Sequence, residues 1–259
     1  MNPNYKNILV SSKNDQKNKT EIFFIDNIKN YLENVKLPFA LSKSEDLIHN
    51  VYEGGFKIWE CTFDVLDFLQ ESKIDLKDKS VLDLGCGQGL LGIYALQNDA
   101  KSVLFQDYNS EVLQYFTYMN LQANFKNITE YHKKIRFISG DWIPFIRKVS
   151  ESINEFCVLN SGSEIKTEYD QEFDFIFMSE VIYKVENYPK IAEIIEKLLK
   201  SKDGLCILGT KLYYFGVGGS VPEFADYILK NKPNLKIIEQ IEINSKKSNK
   251  RAIVLIKKI

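Results

Sequence analysis

A chain of 259 residues, 44% hydrophobic and 27% charged, is long enough for one α/β domain with a sizeable core. Its net charge of −1 gives no bulk attraction to nucleic acid. No apolar run is long enough to span a bilayer, and the polar start from Met1 to Thr20 does not read as a signal peptide. The four cysteines (Cys61, Cys86, Cys157, Cys206) lie apart with no C-x-x-C, and His49 and His132 are the only histidines. That predicts reduced intracellular thiols, with neither a disulfide framework nor a metal centre.

Residues 1–20, rich in Asn and Lys, read as a mobile tail. Glu21 to Val35 carries a short helical pattern, and Phe39 to Tyr52 is an irregular lead-in closed by Gly54-Gly55. The spacing of Trp59, Phe63, Leu66 and Leu69 then predicts an amphipathic helix over 56–69. From there the pattern alternates. Strands are expected at 80–84, 102–106, 135–139, 173–179, 204–210, 235–243 and 251–257, and helices at 90–98, 110–124, 187–200 and 221–230. Such alternation builds βαβ units and a mostly parallel sheet. The last two strands are joined by six polar residues, Asn244 to Asn249, with no helix between them, so they must pair antiparallel. Lys148 to Glu172 is polar, with Ser161-Gly162-Ser163 inside, and reads as a surface insertion. The chain thus divides into a tail and lead-in, 1–53, and one domain, 54–259.

The strongest local signal is Val81-Leu82-Asp83-Leu84-Gly85-Cys86-Gly87-Gln88-Gly89-Leu90-Leu91-Gly92-Ile93. An apolar strand ends in glycines at alternate positions, and a helical apolar pattern follows. Glycines let the backbone come close to a ligand, and the following helix N-terminus favours an anionic group. The spacing is G-x-G-x-G; Leu90 stands where the dinucleotide fingerprint has its third glycine. This arrangement resembles motif I of class I S-adenosylmethionine (SAM)-dependent methyltransferases. The parallel sheet ending in an antiparallel hairpin likewise resembles their seven-stranded, Rossmann-like fold. In that reading Asp83 to Gly89 wraps the methionine part of SAM, and Asp83 holds its ammonium. Gly85 and Gly87 give the close approach; the alternative is a strand–helix turn with no ligand.

Asp107 ends the second strand, 22 residues after Gly85, where a carboxylate takes ribose hydroxyls; otherwise it caps the next helix. Ser139-Gly140-Asp141-Trp142 ends the third strand, with Asp141 facing the adenine amino group and Trp142 against the ring, or Trp142 simply in the core. Met178-Ser179-Glu180-Val181-Ile182-Tyr183 ends the fourth. Glu180 and Tyr183, three apart, are candidates for orienting the methyl acceptor; the plainer reading packs Tyr183 and solvates Glu180. Lys211 to Gly219, with three glycines and three aromatics, makes a shaped loop, either a substrate wall or a lid on the core. His49 and His132 read as surface residues, and the Lys-rich segments 230–236 and 246–251 as solvated faces.

Gly54-Gly55-Phe56-Lys57-Ile58-Trp59-Glu60-Cys61-Thr62 and Tyr213-Tyr214-Phe215-Gly216-Val217-Gly218-Gly219, with the motifs around Gly85 and Asp107, resemble the protein-histidine methyltransferase family from about Gly54 onward. These eukaryotic enzymes methylate one histidine of ribosomal protein three of the large subunit. The resemblance implies that Ile58, Trp59, Glu60, Cys61 and Thr62 touch the cofactor, and implies contacts from Gly85, from Asp107, Tyr108 and Asn109, from Gly140, Asp141 and Trp142, and from Ser179. It assigns no catalytic base. The expected activity is methyl transfer from SAM to a histidine, releasing S-adenosylhomocysteine (SAH). The partner is a protein substrate, ribosomal on this reading. The chain is expected to act as a monomer in the cytoplasm or nucleus.

The chemistry agrees. With a reference pKa of about 6.5, most histidines are neutral at pH 7, whereas deprotonating a lysine at about 10.4 costs roughly 4–5 kcal/mol. Alignment of an already activated methyl donor can then supply about 7–11 kcal/mol of barrier reduction. Glu180 or Tyr183 is expected to hold the other ring N–H and set the tautomer. Three alternatives stay open: a protein-lysine methyltransferase of the same fold, since Glu180-x-x-Tyr183 resembles the acidic-x-x-Tyr motif of that group; a non-catalytic module that chaperones a ribosomal protein; and a nicotinamide oxidoreductase.

Overall fold

Branched and aromatic side chains concentrate in seven short runs, and each becomes a strand of one sheet. The computed structural model describes residues 9–11, 22–24, 54–131, 133–150, 172–243 and 249–259. Its sheet strands are β3 (Ser80–Leu84), β4 (Ser102–Asp107), β5 (Ile135–Ser139), β6 (Phe175–Ser179), β7 (Leu205–Lys211), β8 (Leu235–Ile243) and β9 (Arg251–Lys258). They lie in the order β5-β4-β3-β6-β7-β9-β8. The first five run parallel, and β9 pairs antiparallel with both β7 and β8, as the loop composition required. The order in which strands are added reverses between the parallel neighbours β3 and β6, which makes their carboxyl ends the topological switch point.

Alternation along the strands sorts the core into two faces. Leu82, Leu84, Leu104, Ile176, Met178 and Leu208 face one way, against α4 (Trp142–Ser150), α5 (Tyr188–Leu198) and α6 (Val221–Asn231). Val81, Val103, Phe105, Phe177 and Ile207 face the other, against α1 (Glu60–Glu71), α2 (Leu90–Gln97) and α3. α3 is continuous over Ser110–Val112, a π-helical turn at Leu113–Thr117, and Tyr118–Asn124.

The strand boundaries read from sequence hold to within two residues. α1 is shorter than expected: Trp59 is its N-cap in extended conformation, its indole N–H donating to the Gly54 carbonyl at 3.1 Å. The buried stripe is therefore Cys61, Val65, Leu66 and Leu69 rather than one beginning at Trp59. α4 was not foreseen; it takes up the first residues of the 148–172 segment, whose residues 151–171 lie outside the described ones.

At the amino end two expectations change. Within the segment read as tail, β1 (Leu9–Ser11) pairs antiparallel with β2 (Ile22–Phe24), which lies where a helix was expected. The composition of Ile22-Phe23-Phe24 suits a strand better than a helix. The rest of 1–53, with His49, lies outside the described residues, as do His132, Cys157 and 244–248. Among the described residues no helix is long and apolar enough to cross a membrane.

Candidate active site

The cleft opens at the carboxyl ends of β3, β4, β5 and β6, closed on one side by the residues that lead into α1. After β3 the chain turns in left-handed conformations at Gly85 (φ 64°) and Gly87 (φ 52°), which an L side chain rarely adopts. A Cβ on Gly85 would also lie 2.9 Å from Val181 Cγ1. Cys86 N–H donates to the Gln106 carbonyl at 2.8 Å, and Gly87 N–H to Asp107 Oδ2 at 2.9 Å, so β4 holds the turn in place. The π turn of α3 completes the grip. It brings buried Thr117 to the turn, where its hydroxyl donates to the Gly87 carbonyl at 2.7 Å.

Asp83 is 1% exposed and lines the cleft floor, one oxygen accepting Gly92 N–H at 2.9 Å. Burial pushes its carboxyl up to about 8; Gly92 N–H pulls it back and the nearby Asp107 charge adds to the rise. Asp107 takes Gly87 N–H on one oxygen and Asn109 N–H on the other. Asp141 accepts Ile143 N–H and pairs with Lys190 at 2.6 Å. Partial burial raises its pKa, but the Ile143 and Lys190 contacts outweigh that and hold it below the ordinary carboxylate value. Thr62 Oγ1 stands 3.0 Å from Ser179 Oγ, joining α1 to the end of β6.

Most of the sequence candidates converge on the cleft: Ile58, Trp59, Thr62, Asp83, Gly85, Gly87, Asp107, Tyr108, Gly140, Asp141, Trp142, Ser179, Glu180 and Tyr183 all line it. Three do not. Glu60 is turned outward toward Arg251 at 3.3 Å, Cys61 is fully buried against the core, and Asn109 sits behind Asp107. Helical geometry explains the first two: of consecutive residues at the start of α1, only some can face the cleft.

Glu180 is not a free base. It is 8% exposed and has a left-handed backbone (φ 55°); Oε1 accepts Cys61 N–H at 3.4 Å and Oε2 pairs with Lys211 at 3.0 Å. It therefore ties the first turn of α1 and the end of β7 to the switch point, a positioning role. Tyr183 packs edge-on against Tyr214, with ring centroids 6.3 Å apart, so the loop after β7 does stand beside the cleft. Lys211 lies over the rings of Trp59 and Tyr214, at 5.2 and 5.6 Å. Sequence reasoning passed over Gln106, Thr117 and Lys190. Only Gln106 carried a signal, an amide directly after the apolar run Val103-Leu104-Phe105.

The donor set fits SAM. A glycine turn at a helix N-terminus would take its carboxylate, Asp83 its ammonium, Asp107 the ribose diol, and Trp142 the adenine.

A family model described as a methyltransferase domain matches residues 62–230. A protein of Dictyostelium discoideum named "Histidine protein methyltransferase 1 homolog" is 38% identical over 212 residues, which is 82% of this chain and 60% of that protein. The "Histidine protein methyltransferase 1" of Saccharomyces cerevisiae is 30% identical over 268 aligned positions, 82% of this chain and 67% of that protein. The chain spans about half to two-thirds of the length of the curated relatives it matches. Among solved structures, magnesium protoporphyrin IX methyltransferase from Synechocystis with bound SAH aligns with a TM-score of 0.50 at 15% identity, over 76% of this chain and 81% of that one. Turn, switch point, hairpin and relatives agree: the chain belongs to the SAM-dependent methyltransferase family, in the group of the histidine protein methyltransferase 1 proteins.

Proposed function

We propose that this protein transfers a methyl group from SAM to a histidine side chain of a protein. The observation that carries the reading is its kinship, at 30–38% identity over 82% of the chain, with proteins named for that reaction. The geometry supports it. The one carboxylate expected to work on the acceptor, Glu180, has an oxygen committed to Cys61 N–H and the other to Lys211. A cleft whose acceptor-side carboxylate, Glu180, is already engaged suits a neutral imidazole, whose ring nitrogen already carries a lone pair.

SAM, when bound, supplies a sulfonium-activated methyl group. The chain's own residues fix the geometry. The Gly85–Gly89 turn, Asp83 and Asp107 hold the donor, and Trp59 and Thr62 close over it. Tyr183 and the Tyr213–Gly219 loop face the acceptor. Excluding water and aligning the two reactants is then most of the work.

The acceptor we propose is a ribosomal protein, protein three of the large subunit, which this chain would meet as a monomer in the cytoplasm or nucleus. Purified large-subunit ribosomal proteins incubated with the chain and methyl-labelled SAM should yield methylhistidine in one protein after hydrolysis. Methyllysine as the labelled product overturns the histidine reading, and absence of label in this fraction overturns the ribosomal one.

A further inference from the structure

We propose that Gln106 is a positioning residue for the cofactor cleft, one side-chain amide that sets two of its walls in register, the glycine turn after β3 and the segment from the end of β5 into α4. Gln106 is fully buried in β4, between Leu84 of β3 and Ile138 of β5. Its chain predecessors Val103, Leu104 and Phe105 are buried and apolar, so a leucine or methionine would be the ordinary occupant. A buried amide in such a strand costs free energy unless its bonds are made.

Three bonds are made, and they reach two walls of the cleft. Oε1 accepts the Gly85 N–H at 3.3 Å, which is the glycine turn after β3. The same oxygen accepts the Trp142 indole N–H at 2.8 Å, which fixes the ring that opens α4. Nε2 donates to the Gly140 carbonyl at 2.9 Å, at the end of β5. The amide orientation follows from these partners, since the reversed one would set its N–H against two donors. Gly140 has φ 120°, and its N–H donates to the Asp107 carbonyl at 3.0 Å, so β4 grips the end of β5 through its backbone as well as through the Gln106 amide. The glycine turn at Gly85 and the Gly140–Trp142 segment that leads from β5 into α4 both bond to this one amide.

This inference rests on the cleft being the SAM site. Its test is Gln106→Met, which keeps the volume and apolar fit and removes all three bonds. Expected are a melting temperature within a few degrees of wild type and an SAH dissociation constant raised about tenfold to a hundredfold by calorimetry. In a Trp59→Phe background, Trp142 emission should also shift as its N–H loses its partner. Trp142→Phe, which removes one bond of the three, should raise the SAH constant by less. An SAH constant within about twofold of wild type, with unchanged emission, overturns the proposal. So does a variant that melts far lower while its folded fraction binds SAH normally, because Gln106 is then only a core residue. A wild type that fails to bind SAH overturns instead the cofactor reading on which the proposal stands.

Discussion

Asp83 illustrates how one residue serves fold and site with opposing demands. Its carboxyl, pushed up to about 8 by burial, sits above its unfolded value, so the empty folded state prefers the protonated form. The sign follows. The stabilisation is fully present below about pH 4 and is lost as pH rises through about 8, at about 1.4 kcal/mol per pH unit in between. Asp83→Asn is neutral throughout and can still accept the Gly92 N–H. Its melting temperature relative to wild type is therefore expected to climb between pH 5 and pH 8 and level off above, measured without cofactor. A difference independent of pH would show that the carboxyl titrates normally. The same substitution should weaken SAH binding about tenfold or more at pH 8.5, since a cofactor ammonium is the partner proposed for the ionised form. Glu180 is the contrasting case. Its acidic-x-x-Tyr spacing was visible in the sequence, but its engagement by Lys211 and Cys61 was not, because both partners are distant along the chain.

At the scale of elements, the question is what lets α1 come close enough to close the cleft. The answer lies in β7. Gly209 is the point where the helix meets the sheet: a Cβ there would lie 2.5 Å from Val65 Cγ2 and 2.7 Å from the Cys61 carbonyl. Glycine is used here for close approach, with no unusual backbone angle. Any side chain must push α1 outward, and with it Trp59 and Thr62. Gly209→Ala is therefore expected to cost about 1–3 kcal/mol of stability, and to weaken SAH binding several-fold in the protein that remains folded. Thermal melts and calorimetry check both, and SAH affinity equal to wild type would show that α1 does not form a wall. The sequence gives this glycine no distinguishing mark within Leu205–Lys211, where it reads as a weak strand residue. By contrast, the glycines after β3 were legible, because alternate spacing between a strand and a helix has few other uses. The π turn at Leu113–Thr117 was invisible for the opposite reason. Helical periodicity over 110–124 is nearly unchanged by one wider turn, yet that turn carries Thr117 to Gly87.

For the whole molecule, periodicity sufficed to place the sheet. Parallel strands buried on both faces read as continuous apolar runs, and the polar loop before β9 left only an antiparallel return. Sheet order then decides the site: the cleft sits at the carboxyl ends of the paired strands β3 and β6, from which the chain winds in opposite directions, so ligand contacts come from both halves and from the residues that lead into α1. A ligand at such a seam binds only when both halves are assembled, and so must couple to global unfolding. At a concentration one hundred times its dissociation constant, SAH should add about 2.7 kcal/mol to the folded state. For a domain of this size that is about 5–10 °C in melting temperature. Circular dichroism and the fluorescence of Trp59 and Trp142, both cleft residues, should report the same shifted transition. NAD at equal concentration should leave the melt unmoved, because Leu90 closes the place where a dinucleotide fold has its third glycine. A shift with NAD and none with SAH would return the chain to the dinucleotide-binding enzymes that its glycine turn also resembles. A fluorescence change at a temperature well below the loss of helical signal would instead show the cleft opening on its own, ahead of the core.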